Sequence, residues 1–338
     1  MTNKIIVQLT NAVKGSVLVA ACLVTVACSQ QGQPLSSQEL EDRRAELATQ
    51  LADPASRTRL IAKVFGSTEE MERHAFLKFH VFGFTGEGNL IPFFSMNNYI
   101  VQRWSPAEND VFNVQHYEVA YYSKFDTDEA IDEWTNPLTD EVIELPHFVL
   151  GPVPRQYGPG LGQGADSFAP DPVNITMIGD RVYIPTLTRL RFPSTMSVEE
   201  WGPYGSAPVR YWDSMLVYSA NIEDVLDENR THVPAEIHMQ NLVSWGPYFK
   251  LGDSAGRTMV RAYGQHISGY DDLPATVRSN LEKYTPEIFE LQSWQETRFD
   301  AVELMQELIE KRANGTLDID QPDYQPRRVK RFDELEGF

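Results

Sequence analysis

From about Ala75 the hydrophobic pattern stops repeating every three or four residues and begins to alternate, and the alternation returns segment after segment as far as His266. Period two, with aromatic and β-branched residues crowded together, is the pattern of strands. Candidate strands are 76–84, 98–104, 113–123, 141–150, 174–178, 181–192, 214–219, 236–243 and 258–266. The breaks between them carry turn residues: Gly86-Glu87-Gly88-Asn89, Asn136-Pro137-Leu138-Thr139-Asp140, and Gly179-Asp180, which is expected to close a tight hairpin. No strand-helix-strand alternation interrupts the series, which argues against a Rossmann-type sheet. Helical spacing is confined to the two ends. Ser36 to Glu39 forms a capping box ahead of Leu40, Leu47 and Leu51. Asp53-Pro54 opens a second helix carrying Leu60, Ile61, Val64 and Phe65 and closed by Gly66, and Ser67 to Glu70 reads as another capping box. Asp300 to Glu303 starts a C-terminal helix with Val302, Met305, Leu308 and Ile309 on one face. The expected fold is therefore α+β: a largely antiparallel, curved or barrel-like sheet with flanking N- and C-terminal helices.

The N-terminus carries an address. Lys4 and Lys14 precede a 12-residue apolar run, Ser16 to Ala27, that stops at Cys28. A bilayer core of about 30 Å takes about 20 residues to cross, so the run reads as a secretory signal. Thr25-Val26-Ala27-Cys28 resembles a bacterial lipobox, in which Cys28 is lipidated after cleavage. The expected layout is a signal peptide over 1–27, a tether over 28–35, one α+β domain over 36–320 and a C-terminal tail over 321–338. Ser29 after the Cys, instead of Asp, is similar to the default outer-membrane signal, so in a Gram-negative source the protein is expected in the cell envelope, facing the periplasm. Cys22 and Cys28 are the only cysteines and both lie in this segment, so no disulfide framework holds the fold. Removing Lys4 and Lys14 with the signal leaves 27 basic residues against 48 acidic ones, a formal charge of −21. A chain this acidic repels phosphate backbones and anionic headgroups, which excludes nucleic acid as a partner and leaves membrane contact to the lipid anchor alone.

Two strands carry side chains that a dry core does not want. On 113–123, period two puts His116, Glu118, Ala120 and Tyr122 on one face and Tyr117, Val119 and Tyr121 on the other. Glu236, His238 and Gln240 repeat the arrangement on a later strand. If both faces line a barrel interior, His116 or His238 serves as a base, Glu118 or Glu236 orients it and Tyr122 donates a proton. If they face water, they are ordinary polar faces. The same two His and two Glu satisfy zinc or iron ligand chemistry, but no compact motif such as His-Glu-x-x-His accompanies them, so neither a metal nor another cofactor is expected. His80 and His147 read as structural histidines. There is no Gly-x-Ser-x-Gly elbow, and the glycines at 158, 160, 162 and 164 in the Pro/Gly-rich stretch 152–172 lack the Lys-Ser/Thr ending of a phosphate loop. Trp201-Gly202-Pro203-Tyr204 recurs as Trp245-Gly246-Pro247-Tyr248, 44 residues later. The repeat offers Trp201, Tyr204, Trp245 and Tyr248 either as contacts for an apolar or aromatic small molecule or as hydrophobic plugs in two turns.

Trp134-Thr135-Asn136-Pro137-Leu138-Thr139-Asp140-Glu141, Pro146-His147 and the run Val243 to Gly256 (VSWGPYFKLGDSAG), with Asp272-Leu273-Pro274 further on, resemble a bacterial family catalogued as domain of unknown function 1838. The likeness covers about residues 70–296, and Asp140 stands where the pattern has Gly. The resemblance implies fold unity and export, and it brings no established catalytic residues. Two classes follow: a cofactor-free lyase, isomerase or hydrolase using His/Glu acid-base chemistry, or a non-catalytic ligand-binding or structural lipoprotein of the envelope.

Overall fold

A computed structural model of the chain describes residues 35–145, 147–159, 174–294, 298–317, 330 and 334–335. The expected signal peptide, Cys28 and the tether up to Pro34 lie outside the described residues, as do residues 160–172 of the Pro/Gly-rich stretch and most of the expected tail.

Ser36 caps α1 (Ser37–Ala52) through a reciprocal box with Glu39, and the Asp53 carboxylate accepts from Ser56 N to open α2 (Pro54–Phe65) with Pro54 in its first turn. Ser67 Oγ accepts from Glu69 N, but no third helix follows, correcting the second capping box: the chain enters β1 (Met71–Thr85). A strand paired on both sides outweighs a local cap. Then come β2 (Leu90–Pro106), β3 (Phe112–Ser123), the small hairpin β4 (Glu133–Thr135) and β5 (Val142–Glu144), β6 (Phe148–Tyr157), β7 (Thr176–Ile178) and β8 (Arg181–Pro193). The rest is α3 (Val198–Trp201), β9 (Val209–Asn221), α4 (Ile222–Leu226), β10 (Glu236–Val243), β11 (Gly256–Ile267), α5 (Ala275–Tyr284), β12 (Arg298–Phe299) and α6 (Asp300–Ala313). Gly179-Asp180 closes the β7–β8 hairpin as expected, with Ile178 opposite Arg181. β2 is longer than its pattern suggested because Pro92 and Phe93 sit at a register shift opposite Val81 and Phe82, where a missing N–H is tolerated. The expected strand 141–150 divides into β5 and β6, and β6 continues to Tyr157 through residues that read as loop.

Among the described residues ten strands form one antiparallel sheet in the order β12-β6-β3-β2-β1-β11-β10-β9-β8-β7. The sheet is curled into a half-barrel, so the fold is α+β as expected. One side chain measures the curl. Phe65, the last residue of α2, stacks 4.3 Å from the ring of Tyr218 on β9 and lies 6.0 Å from that of Tyr157 on β6. Those strands are six neighbours apart, which in a flat sheet is about 29 Å. α2 therefore fills a concave face, where Leu60, Ile61, Val64 and Phe65 pack with Leu77, Trp104, Val114, Ile184 and Ile237. The convex face beneath β2, β3 and β6 is covered by α5 and the turn after it, through Tyr99, Tyr117, Val119 and Tyr121 against Val277, Leu281 and Ile288. A third cluster closes the far end with Phe93, Phe94, Tyr122, Trp134, Trp245 and Phe249. Leu335 joins this cluster, and Lys330 N donates to Leu138 O at 3.1 Å, so the described part of the expected tail is docked.

Candidate functional site

Residues directly opposite in an antiparallel pair share a face. The row Tyr218, Ile237, Gly264, Leu77, Asn98, Ala120 runs along the concave face from β9 to β3. On the same face Gln102 is opposite His116 and Ile100 is opposite Glu118. The β3–β6 register shifts here: His116 faces Val153 while Glu118 faces Leu150, an extra β6 residue that bends the strand. Gly151 occupies the bulge at φ 132°, and a Cβ there would stand 2.7 Å from His116 O, so this approach of the two strands requires glycine.

A chain of hydrogen bonds with one direction crosses β2 and β3. Trp104 Nε1 donates to Gln102 Oε1 at 3.0 Å, and an indole can only donate. The Gln102 amide nitrogen must then face His116 Nδ1, 3.1 Å away, which makes Nδ1 the acceptor and leaves the ring proton on Nε2. Nε2 lies 2.9 Å from Glu118 Oε2 and donates to it. Asn98 Nδ2 donates to the other carboxylate oxygen at 2.6 Å. Asn98 is 1% exposed, and its Oδ1 has no partner among the described residues.

The charges follow from the same geometry. Burial pushes the Glu118 carboxyl up, but the His116 and Asn98 hydrogen bonds and the Arg155 charge outweigh it and hold the group below the ordinary carboxylate range. Burial, then the Arg155 charge, holds the His116 imidazole below its usual value against the pull of Glu118. At neutral pH the pair is a neutral imidazole donating to a carboxylate. Both imidazole nitrogens are engaged, so His116 positions Glu118 and has no lone pair left for a substrate. This reverses the roles expected from the sequence. The His116 side chain is 4% exposed and Glu118 18%, which makes Glu118 the member of the network open to the concave surface. Half-buried Met96, Ile100, Leu216, Met239 and Val260 surround that surface. Arg155 lies on the same face opposite Val114, one diagonal from His116, and across the interior the Tyr218 phenol is pushed up by burial.

The other expected site residues lie elsewhere. Glu236 and His238 are on the convex face: the row Val217, His238, Tyr263, Lys78, Asn97, Tyr121 is the opposite surface of the sheet. Both are exposed, and Glu236 pairs with Arg181 at 3.0 Å. The two His/Glu pairs do not converge, and these four groups cannot share one ion. Tyr122 shares the face of Glu118 but sits four residues on, about 13 Å by strand rise, packed edge-on against Phe94 in the far cluster. Trp201 is 6% exposed under the Arg312 guanidinium, and Trp245 is 5% exposed with Nε1 donating to Ser254 O. Tyr248 packs on Phe249, its phenol pushed up to about 12 by burial, and Lys250 Nζ stands over the ring of Tyr204. Gly252 N donates to Pro203 O, joining the two Trp-Gly-Pro-Tyr turns to each other. The repeat is thus a pair of linked turns in which both tryptophans are buried and both tyrosines half-buried. His80 and His147 pair with Asp126 and Asp132 at 3.1 and 3.2 Å, as structural histidines.

Asn98, Gln102, Trp104 and Arg155 escaped the reading of the sequence because they match no motif. Their signal was present: two amides on one face of a strand otherwise apolar require partners once buried. A family model described as "Protein of unknown function (DUF1838)" matches residues 77–301, about two-thirds of the chain. The chain belongs to the DUF1838 family. The match spans every member of the Trp104 to Asn98 network and leaves out α1 and α2. Among proteins of curated function, none matches this chain. Asp140 has φ 60°, the left-handed conformation that glycine adopts freely and Asp tolerates.

Proposed function

We propose that this DUF1838 protein binds an apolar or aromatic small molecule against the concave face of its half-barrel, with Glu118 as the polar anchor. The observation that carries the reading is the one-way hydrogen-bond chain from Trp104 to Glu118, which fixes an ionised carboxylate at the edge of an apolar concave surface. Holding a carboxylate ionised inside a protein costs stability unless it is fully partnered, and five side chains are committed to it here. The lowered pKa keeps Glu118 ionised and makes it a weak base, which favours binding over catalysis. The second reading, a cofactor-free lyase, isomerase or hydrolase, draws on the same carboxylate-imidazole pair and requires a substrate that raises the Glu118 pKa on binding. Native mass spectrometry of the protein purified from its source tests the first reading. A co-purified small molecule that is absent from Glu118→Gln supports it, and ligand-free spectra for both proteins count against it.

The lipobox-like segment supports a location at the cell envelope, the domain being held to the outer membrane by acylated Cys28. Cys28→Ala should move the exported protein from the membrane to the soluble fraction, and its retention on membranes would sink the anchor. No helix among the described residues is long and apolar enough to cross a membrane.

A further inference from the structure

At its other end the same concave face carries a cation that the fold leaves unanswered. Trp212 on β9 is opposite Leu190 on β8 and Val243 on β10, and that row continues through Thr258 to Gly83. Glu118 lies in the row of Ile100 and Ala75, eight residues from Gly83 along β1, or about 26 Å by strand rise. Arg210 shares the face of Trp212 and is opposite Phe192, with its guanidinium 5.7 Å from the centre of the Phe192 ring. Asp213, three residues on, belongs to the convex face and pairs with Arg191 at 2.8 Å. Among the described residues the Arg210 guanidinium makes no hydrogen bond and no ion pair, and its Nε is buried without a partner. Burial holds the group below its ordinary value, and the one opposing influence is the Tyr248 phenol, which is itself pushed up to about 12 and so is neutral at pH 7. A half-buried guanidinium without a counter-charge costs stability, and an arriving anion removes that cost. The surface beside it is open: Leu190, Phe192 and Trp212 are 38, 40 and 43% exposed.

We propose that this end of the concave face is a second binding place, for an organic anion with a singly charged carboxylate or sulfonate head on Arg210 and an apolar body on Trp212, Phe192 and Leu190. A guanidinium fork matches two oxygens of one head group, and one arginine balances one charge. The chain's overall charge of −19 repels anions at long range, but that field is screened over about 8 Å, so at contact the unpaired cation decides. The inference stands independently of Glu118.

Four molecules with one ring system test it: 2-naphthoate, 2-naphthalenesulfonate, 2-naphthamide and 2-naphthylmethylammonium. Each is titrated into the full chain at pH 7 and about 0.15 M salt and followed by calorimetry. A hydrogen bond to a charged group is worth about tenfold or more in affinity, so both anions should bind about tenfold or more tightly than 2-naphthamide, which keeps the shape and an accepting oxygen but carries no charge. In Arg210→Gln the naphthoate-to-naphthamide ratio should fall to about twofold or less, while Arg191→Gln on the convex side of the same strand pair leaves it unchanged. Trp212→Ala should weaken both by the same factor, since it removes contact with the body only. The inference is overturned if naphthamide binds as tightly as the anions, if the ammonium binds best, if the anion preference survives Arg210→Gln, if Trp212→Ala weakens neither, or if none of the four binds. None of these results bears on Glu118, whose test is the co-purified molecule. Arg210→Gln removes an uncompensated charge and is expected to fold, and the wild-type comparison stands even where it does not.

Discussion

Glu118 takes its ionised state from side chains on β2, β3 and β6, and one of them, Trp104, sets the polarity of the whole chain of bonds. Replacing the indole by phenyl keeps the apolar volume nearly intact but leaves Gln102 Oε1 buried without a donor. Trp104→Phe should therefore cost about 1–3 kcal/mol in urea unfolding. It should also free the Gln102 amide to turn, so that the nitrogen chemical shifts of the His116 ring move away from a pure Nε2–H tautomer. Unchanged shifts would show that something other than Trp104 fixes the direction. His116 and Glu118 were legible as chemistry because two residues of spacing on a strand is a local property. Their division of labour was not, since it depends on which imidazole nitrogen Gln102 reaches, and Gln102 belongs to a different strand.

At the scale of elements, α2 and β2 are locked through a missing side chain. A Cβ on Gly66 would fall 1.9 Å from the Trp104 ring, so the glycine that ends α2 also makes room for the first donor of the site. Gly66→Ala should destabilise by about 1–3 kcal/mol through overpacking and weaken binding at Glu118, 52 residues away in sequence. Gly269→Ala is the control: φ is near 180° and nothing lies within 4 Å, so its effect should stay within about 0.5 kcal/mol. Equal effects of the two substitutions would remove the argument. The sequence indicated that α2 is closed at Gly66, and in the structure Gly66 N donates to Ala62 O at 2.8 Å as its C-cap. What the sequence did not show is the Trp104 ring, whose contact excludes a side chain at that position.

For the whole molecule, acid should loosen the fold before it touches most carboxylates. His266, held by the Arg73 guanidinium at 2.9 Å, is lowered to about 3 by burial and then by the Arg73 charge. The unfolded chain thus binds a proton that the native state refuses, and stability falls as pH drops from about 6.5 toward 3, by up to about 1.4 kcal/mol per unit for this one group. His116, His74 and His147, all lowered first by burial, act in the same sense, and Glu118 adds its loss below about pH 4.5. Urea midpoints at pH 7.5, 6 and 5 should decline, less steeply in His266→Gln; a flat profile would refute the linkage. The described C-terminal residues contribute as well. Truncation before Lys330 removes buried Leu335 and the exposed Lys330–Asp140 pair, and should cost about 1.5–3 kcal/mol, nearly all of it from the leucine.

The amino-acid sequence alone determined the elements: the caps at Ser36 and Asp53, the hairpin at Gly179-Asp180 and the alternation that makes antiparallel strands. Each depends on neighbours within a few residues. It also placed His116 beside Glu118 and His238 beside Glu236 at the same spacing, and nothing local distinguishes the two pairs. Only the tertiary structure separated them. Pairing of β1 with β11, nearly 200 residues apart, closes the curl, and the registers of β10 and β3 turn Glu236 and His238 outward while Glu118 and His116 turn in. A one-residue change in register would exchange the two faces, so the location of the site is a property of the assembled sheet.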